Sequence, residues 1–367
     1  MENDRYKLNR DWLACKHILC IRADHMGDLL MSSPAIAALK RNIKCKITVL
    51  TSARAAAVAK LIPGIDHVIV ADLQWMKVAA DPGPDSLQEL TRLLRLQKFD
   101  GCVIFNVYSQ QTIAAAMMAY MAGIPLRLAY SRENPYHLLT HWVPDPEPYT
   151  YICHQVERDL DLVRMIGVVI KEKGLLISLS EQRFDQTVAT AALRGVNLLD
   201  PYIILHPGVS EDKRKYPEKL WINMGQSLVA ELRVRLLITG SEEESGLTAA
   251  IAAGIGTYAN AVAGWFDLEE FSLLIKNALT VVSVNTGTIH LAAAVGKPLV
   301  VLYARTNPQH TPWMVHSKIL EYTVPEAQQS KNQVIAYVNQ QYYQKQLPYP
   351  EPKEVIAAVK TILKTEK

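Results

Sequence analysis

Short, almost purely apolar runs alternate with amphipathic stretches along the whole chain. In the first half these runs are HILCIR (17–22), CKITVL (45–50), HVIV (67–70) and GCVIFNV (101–107). Each reads as a strand, and HILCIR, a short apolar run ending in Arg22, has the look of a buried parallel strand entering a turn. Apolar positions at helical spacing predict helices near 27–41, 53–60, 85–97 and 109–121. The second half repeats the pattern with YIILH (202–206), VRLLIT (234–239), LTVVSV (279–284) and PLVVLYA (298–304). Strands and helices in alternation predict an α/β fold with a doubly wound parallel sheet in each half.

The proline-rich stretch HWVPDPEPYT and the helix-like residues after it lead into KEKGLLISLS (171–180). A crossing of that kind is a domain boundary, which gives one domain at 1–175 and another at 176–367. The closing segment LPYPEPKEVIAAVKTILKTEK reads as a proline-bracketed terminal helix, expected to pack back on the first domain.

Composition sets limits on this picture. With 367 residues, 49% hydrophobic and 20% charged, each half can bury a core. The net charge of +3 comes wholly from residues 1–175, where 21 basic side chains face 18 acidic ones, against 18 and 18 in the rest. That excess is too small for a nucleic-acid binder but leaves room for a local basic face toward an anionic acceptor or a membrane surface. Five cysteines (Cys15, Cys20, Cys45, Cys102, Cys153), odd in number and without C-x-x-C spacing, predict reduced thiols and no zinc site. No apolar signal core follows the start, and the longest apolar stretch, TIAAAMMAYMAGIPL (112–126), falls short of the ~20 residues a span needs. A cytoplasmic protein is expected.

Two common nucleotide motifs fail. No G-x-G-x-x-G follows a strand, the nearest stretch being GIGTYA (254–259), and no G-x-x-x-x-G-K-[ST] exists. Other stretches carry more. In LTVVSVNTGTIHLAAAVGKPLVVLYA a buried strand ends at Asn285-Thr286-Gly287-Thr288 and an alanine-rich helix begins at once. Backbone N–H groups, the helix dipole and two hydroxyls make that end a ready pyrophosphate site, with His290 in reach; a threonine-capped helix with a structural histidine is the plainer reading. In YIILHPGVSEDKRKYPEKLW the cations Lys213, Arg214 and Lys215 follow a strand end and a Pro207-Gly208 turn, where they could neutralise phosphate charge or form a solvated charge run. In RADHMGDLLMSSPAIAALK a carboxylate, Asp28, opens a helix directly after a strand, at the sheet edge where ligands of such folds bind.

In this order and spacing the three stretches resemble glycosyltransferase family 9, the ADP-heptose:lipopolysaccharide heptosyltransferases, over about residues 17–310. The resemblance implies a GT-B fold: two Rossmann-like, doubly wound domains facing across a cleft, with acceptor bound mainly by the first and nucleotide-sugar donor by the second. It implies an inverting, metal-independent transferase that needs no cofactor and moves a heptose or related sugar from an ADP-sugar to a lipopolysaccharide core or similar glycan. A non-catalytic nucleotide-sugar binding protein and a GT-B nucleotide-sugar epimerase are the alternatives. Work on such an acceptor would bring the protein to the cytoplasmic face of the inner membrane.

Carried over by motif, the family's base falls on Asp28 and its phosphate-side cation on Arg214, with Lys213 and Lys215 as near alternatives. The Thr-Gly turn falls on Thr286, Gly287 and Thr288, followed by His290. The family's usual Asp-Thr-Gly is here Asn285-Thr286-Gly287, an amide that could still hydrogen-bond a sugar or ribose hydroxyl but brings no charge. A carboxylate is the group expected to take a proton from an attacking hydroxyl as an oxocarbenium-like centre develops; an Asp at a helix start is otherwise a cap. Gly27 is expected to allow a close approach or a special dihedral. Arg22 and His25 would hold an anionic acceptor group, unless Arg22 is a plain ion-pair residue. Asn106 and Ser109 end the fourth strand, on the acceptor side, or are turn chemistry. Trp265 is a platform for the nucleobase or a packing residue. TGSEEES (239–245) could meet the ribose or form a capped, acidic helix start.

Overall fold

The computed structural model describes residues 8–77 and 81–365. The chain divides into two compact units, Met1–Ser178 and Leu179–Lys367, so the division falls inside the expected crossing segment. The first unit runs α1 (Arg10–Leu13), β1 (His17–Ile21), α2 (Met26–Ile43), β2 (Lys46–Thr51), α3 (Ala56–Ala59) and β3 (His67–Val70). It continues through α4 (Gly83–Leu96), β4 (Gly101–Ile104), α5 (Ile113–Met121), β5 (Leu126–Ser131), β6 (His141–Pro144) and α6 (Gln155–Arg164). These strands form one parallel sheet in the order β3-β2-β1-β4-β5-β6.

The second unit runs α7 (Gln182–Leu193), β7 (Tyr202–His206), α8 (Glu218–Leu232), β8 (Arg235–Ile238), α9 (Ser245–Ile255) and β9 (Ala259–Ala261). It ends with α10 (Leu268–Asn277), β10 (Thr280–Val284), α11 (Gly287–Ala294), β11 (Leu299–Ala304), β12 (Ser317–Tyr322), α12 (Gln333–Tyr342) and α13 (Pro352–Thr365). Its sheet, also parallel, reads β9-β8-β7-β10-β11-β12, the winding of the first unit repeated. In each unit the strand order reverses beside the first strand, between β1 and β4 and between β7 and β10. Loops leaving those strands at their carboxyl ends diverge to opposite faces, and the gap they leave is where open α/β sheets hold ligands.

Among the described residues all eight expected strands are present, and four more join them. β9 has three residues, and β6 and β12 are sheet-edge strands with partly exposed side chains, so none carries a continuous apolar run. β5 is interior but contains Arg127. That buried guanidinium is absorbed by the carbonyls of Ile124, Pro125, His137 and Leu138, which hides a core strand behind a charged residue. The helix expected at 53–60 is a single turn, α3. The helix at the start of the chain's first long motif, α2, is not amphipathic in place. Residues 27–36 are buried all round because α6 covers the side away from the sheet.

The closing helix α13 lies with the second unit, against α8, β10, β11 and β12, and its Val355, Ile356, Val359 and Ile362 belong to that unit's core. Among the described residues no helix is long and apolar enough to cross a membrane. All five cysteines are free thiols.

Candidate functional site

Asp28 is the third residue of α2, in the first turn after β1. One carboxylate oxygen accepts the N–H of His25, the N-cap residue, at 3.1 Å; the other lies 3.3 Å from Nη2 of Arg22. The capping role and a chemical role are therefore compatible, since capping occupies one oxygen only. Arg22 is completely buried at the end of β1 and pairs through Nε with Asp24 at 3.1 Å. Despite burial, the carboxylates of Asp24, Asp159 and Asp28 keep its proton affinity above the ordinary value. Arg22 thus takes part in two ion pairs, while its Nη1 is buried without a hydrogen-bond partner. Gly27 occupies the same helical first turn, so the special dihedral expected there is not needed.

Across the gap, the β4 end supplies Asn106. Its side chain donates to Thr112 Oγ1 at 2.7 Å and accepts from Arg158 at 3.3 Å, while its carbonyl accepts from Arg158 Nε and Gln155. Buried and engaged this way, Asn106 braces the loop. Arg158 in turn is locked by Asp145 and Glu147 and stacks over Tyr130. Ser109 lies in the same loop.

Sequence reasoning passed over two carboxylates beside Asp28. Asp24 is nearly buried; desolvation lifts its carboxyl to about 6 against the pull of Arg22, and Gln110 donates to it. Asp159, on α6, accepts from Ser32 at 2.6 Å and Gln155 at 2.8 Å, and burial raises its proton affinity. The signal for Asp24 was local, a second acid four positions before the first. Nothing local marked Asp159.

In the second unit the two switch-point loops meet. After β7 the chain turns at Pro207-Gly208, where a Cβ on Gly208 would stand 2.1 Å from the Glu244 carboxylate, so a larger residue would have to displace that side chain. The short 3₁₀ turn Asp212–Arg214 then sends the three cations different ways. Lys215 is 62% exposed and pairs with Asp212. Lys213 and Arg214 share Glu211 at 3.2 and 3.1 Å. Arg214 also donates from Nη1 to the carbonyl of Asn285 at 3.1 Å, so it alone of the three is tied to the loop after β10. There α11 begins: Thr286 is its N-cap, no side chain caps its first turn, and the Thr286 hydroxyl is buried with no hydrogen-bond partner. Thr288 and His290 are buried in that turn, with the His290 ring 6.4 Å from His310. Uncapped first-turn N–H groups beside a fixed guanidinium are the kind of arrangement in which helix N-termini can take up an anion.

Asn285 does not do what its position in the motif suggested. Its Nδ2 donates to the carbonyl of Ala304 at 3.0 Å and to Thr306, and its Oδ1 accepts the Ala304 N–H at 3.1 Å. The amide clips the end of β10 to the end of β11. Both a donor and an acceptor are required, so a carboxylate would face the Ala304 carbonyl. Asn285→Asp is expected to lower the unfolding free energy by about 1–3 kcal/mol, the cost of a buried unmatched polar group. Urea denaturation of the two proteins checks this.

His206, at the end of β7, bonds Thr239 at 2.9 Å, and burial pushes its ring down to about 4, so it is neutral near pH 7. Trp265 follows β9 with one face covered by Arg194, 4.7 Å from the ring centroid. TGSEEES forms a capping box between Ser241 and Glu244, the helix-start reading of that stretch.

With this geometry in view, comparison with known proteins identifies the class. Residues 88–343 match the family described as glycosyltransferase family 9 (heptosyltransferase), and the chain belongs to it. It is therefore a glycosyltransferase, although the matched stretch begins after Asp28. Lipopolysaccharide heptosyltransferase 2 of Escherichia coli strain K12 is 25% identical over 312 residues, 82% of this chain and 86% of that protein. The family 9 glycosyltransferase of Veillonella parvula DSM 2008 superposes with a TM-score of 0.77 at 19% identity, covering 95% of this chain and 98% of that one. The E. coli ADP-heptose lps heptosyltransferase II gives 0.71 at 21%, covering 95% and 99%. Two Rossmann-like sheets of identical winding in one chain are the GT-B fold class.

Proposed function

We propose that the chain transfers a heptose, with inversion at the anomeric carbon and without a bound metal, from ADP-heptose to a lipopolysaccharide core or related glycan. The observation that carries the reading is Asp28: a carboxylate on a rigid, buried helix at the carboxyl edge of β1, with one oxygen capping and the other on Arg22. As the acceptor hydroxyl attacks, its proton passes to Asp28 while the bond to the diphosphate breaks on the far side of the sugar ring, which inverts the centre. The departing diphosphate gains charge that Arg214, the first-turn N–H groups of α11 and the Thr286 hydroxyl are arranged to meet before reaction begins. The ADP-heptose and lipopolysaccharide assignments draw on the names of the E. coli relatives. A cytoplasmic enzyme using such an acceptor would meet it at the inner face of the inner membrane.

Incubation with ADP-heptose and a heptose-deficient core acceptor, with and without excess EDTA, tests the reading. Free ADP in equal amount to glycosylated acceptor is expected in both. Isomerised donor without ADP would make the protein an epimerase. A ligand-induced rise in melting temperature with ADP but no turnover would make it a binding protein, and a response to UDP or GDP compounds alone would overturn the donor. Transfer abolished by EDTA and restored by magnesium would refute the metal-free site.

A further inference from the structure

We propose that Asp24 is a positioning residue for Asp28, taking up part of the Arg22 guanidinium charge so that Asp28 keeps the proton affinity its role requires. The inference rests on the reading of Asp28 as the base and goes beyond it, to the device that sets its strength.

Arg22 presents one edge, Nε and Nη2, to two carboxylates four residues apart: Asp24 at 3.1 Å and Asp28 at 3.3 Å. The arginine is wholly buried, and its position is fixed from the backbone, since its N–H bonds Leu50 and its carbonyl accepts from Thr51. Asp24 is fixed as well: its carbonyl accepts from Ser52 and its second carboxylate oxygen from Gln110 of the β4–α5 loop. An aspartate alone beside an arginine loses about 1–3 units of proton affinity and becomes a poor base. Sharing the cation with a second carboxylate, and repulsion from it, offset that loss.

The groups facing Asp24 are Arg22 and Asp28 from its own segment, Gln110 from the β4–α5 loop, and Asp159 from α6, with Arg158 of α6 acting on Arg22. Burial raises the Asp24 carboxyl to about 6, with Arg22 and Gln110 opposing and Asp28 and Asp159 assisting. Near neutrality Asp24 is ionised and Asp28 is shielded from Arg22. On acidification the pair takes up a proton at Asp24, the guanidinium charge falls on Asp28, and transfer slows before Asp28 itself is protonated.

The experiment is the pH profile of kcat for four proteins, with ADP affinity and donor KM measured alongside. Wild type is expected to lose activity on an acid limb near pH 6. Asp24→Asn, fixed in the shielding-free state, should lower the plateau about 5–30-fold, move the acid limb down by about one pH unit and leave ADP affinity unchanged. Asp24→Glu should recover part of both changes. Gln110→Met removes a hydrogen bond to ionised Asp24 and should move the limb upward. An unmoved limb in Asp24→Asn, whatever its kcat, would overturn the proposal. If that variant fails to fold by circular dichroism, the direction of the Gln110→Met shift decides, and no shift or a downward one is fatal. Asp28→Asn, assayed in parallel, separates the two ideas: full activity there removes the base reading and this proposal with it, whereas an inactive Asp28→Asn with an unshifted Asp24→Asn removes only the second.

Discussion

Asp28→Asn is expected to lower kcat by about 10² to 10⁴ at saturating acceptor, the scale for removing a positioned general base. The side-chain geometry makes this substitution a clean one. An amide oxygen can still accept the His25 N–H that Asp28 accepts at 3.1 Å, so the start of α2 keeps its cap. The lost ion pair leaves Arg22 on Asp24, which holds it at 3.1 Å, so the buried cation is not stranded. The diphosphate site proposed around Arg214 and α11 belongs to the other compact unit, so ADP affinity should stay within about twofold. A drop in kcat with donor binding intact is the signature of an interaction made in the transition state. Turnover near the wild-type value would end the assignment of Asp28 as base.

Which parts of this picture were legible from the sequence follows from where each interaction partner lies. Strands buried on both faces are continuous apolar runs, so β1, β2, β4, β7, β8, β10 and β11 could be read directly. β5 could not, because Arg127 in it is neutralised by carbonyls that lie before it and in the β5–β6 loop. Asp28 stood out because a carboxylate at a helix start is a local feature. Asp24 stood in the same stretch as a second acid four positions earlier, but that local sign did not tell its role, which depends on Arg22 turning inward and on Gln110, 86 residues away in sequence. The bonding of Asn285 was hidden for the same reason: the motif showed an amide beside a Thr-Gly turn, while its partner, Ala304, is on the neighbouring strand. The run of three cations posed a different problem. Adjacent side chains in a tight turn point in divergent directions, and only the turn's geometry tells which one faces the loop after β10.

That geometry singles out Arg214. Its Nη1 donates to the Asn285 carbonyl, its Nη2 pairs with Glu211, and its own carbonyl accepts the Tyr322 hydroxyl at 2.6 Å, so backbone and side chain are both held at the entrance to α11. The side chain is 22% exposed, which leaves it reachable by a ligand while sparing most of the entropy cost of fixing it. Arg214→Ala should therefore weaken ADP binding by about 1.5–3 kcal/mol, the range for a charge-assisted hydrogen bond, or roughly 10- to 150-fold in Kd. Lys215→Ala should change Kd less than about twofold, because that ammonium is solvent-exposed and paired with Asp212. Lys213→Ala should fall between them, as its loss frees Glu211 to pull harder on Arg214. Arg214→Lys should recover only part of the affinity, since an ammonium cannot hold the Asn285 carbonyl, Glu211 and a phosphate oxygen with one planar fork. Isothermal titration with ADP ranks the four variants. If Lys215→Ala proves the costly one and Arg214→Ala is silent, the diphosphate contact lies on the exposed side of the turn and the site built around Asn285 and Thr286 is wrong.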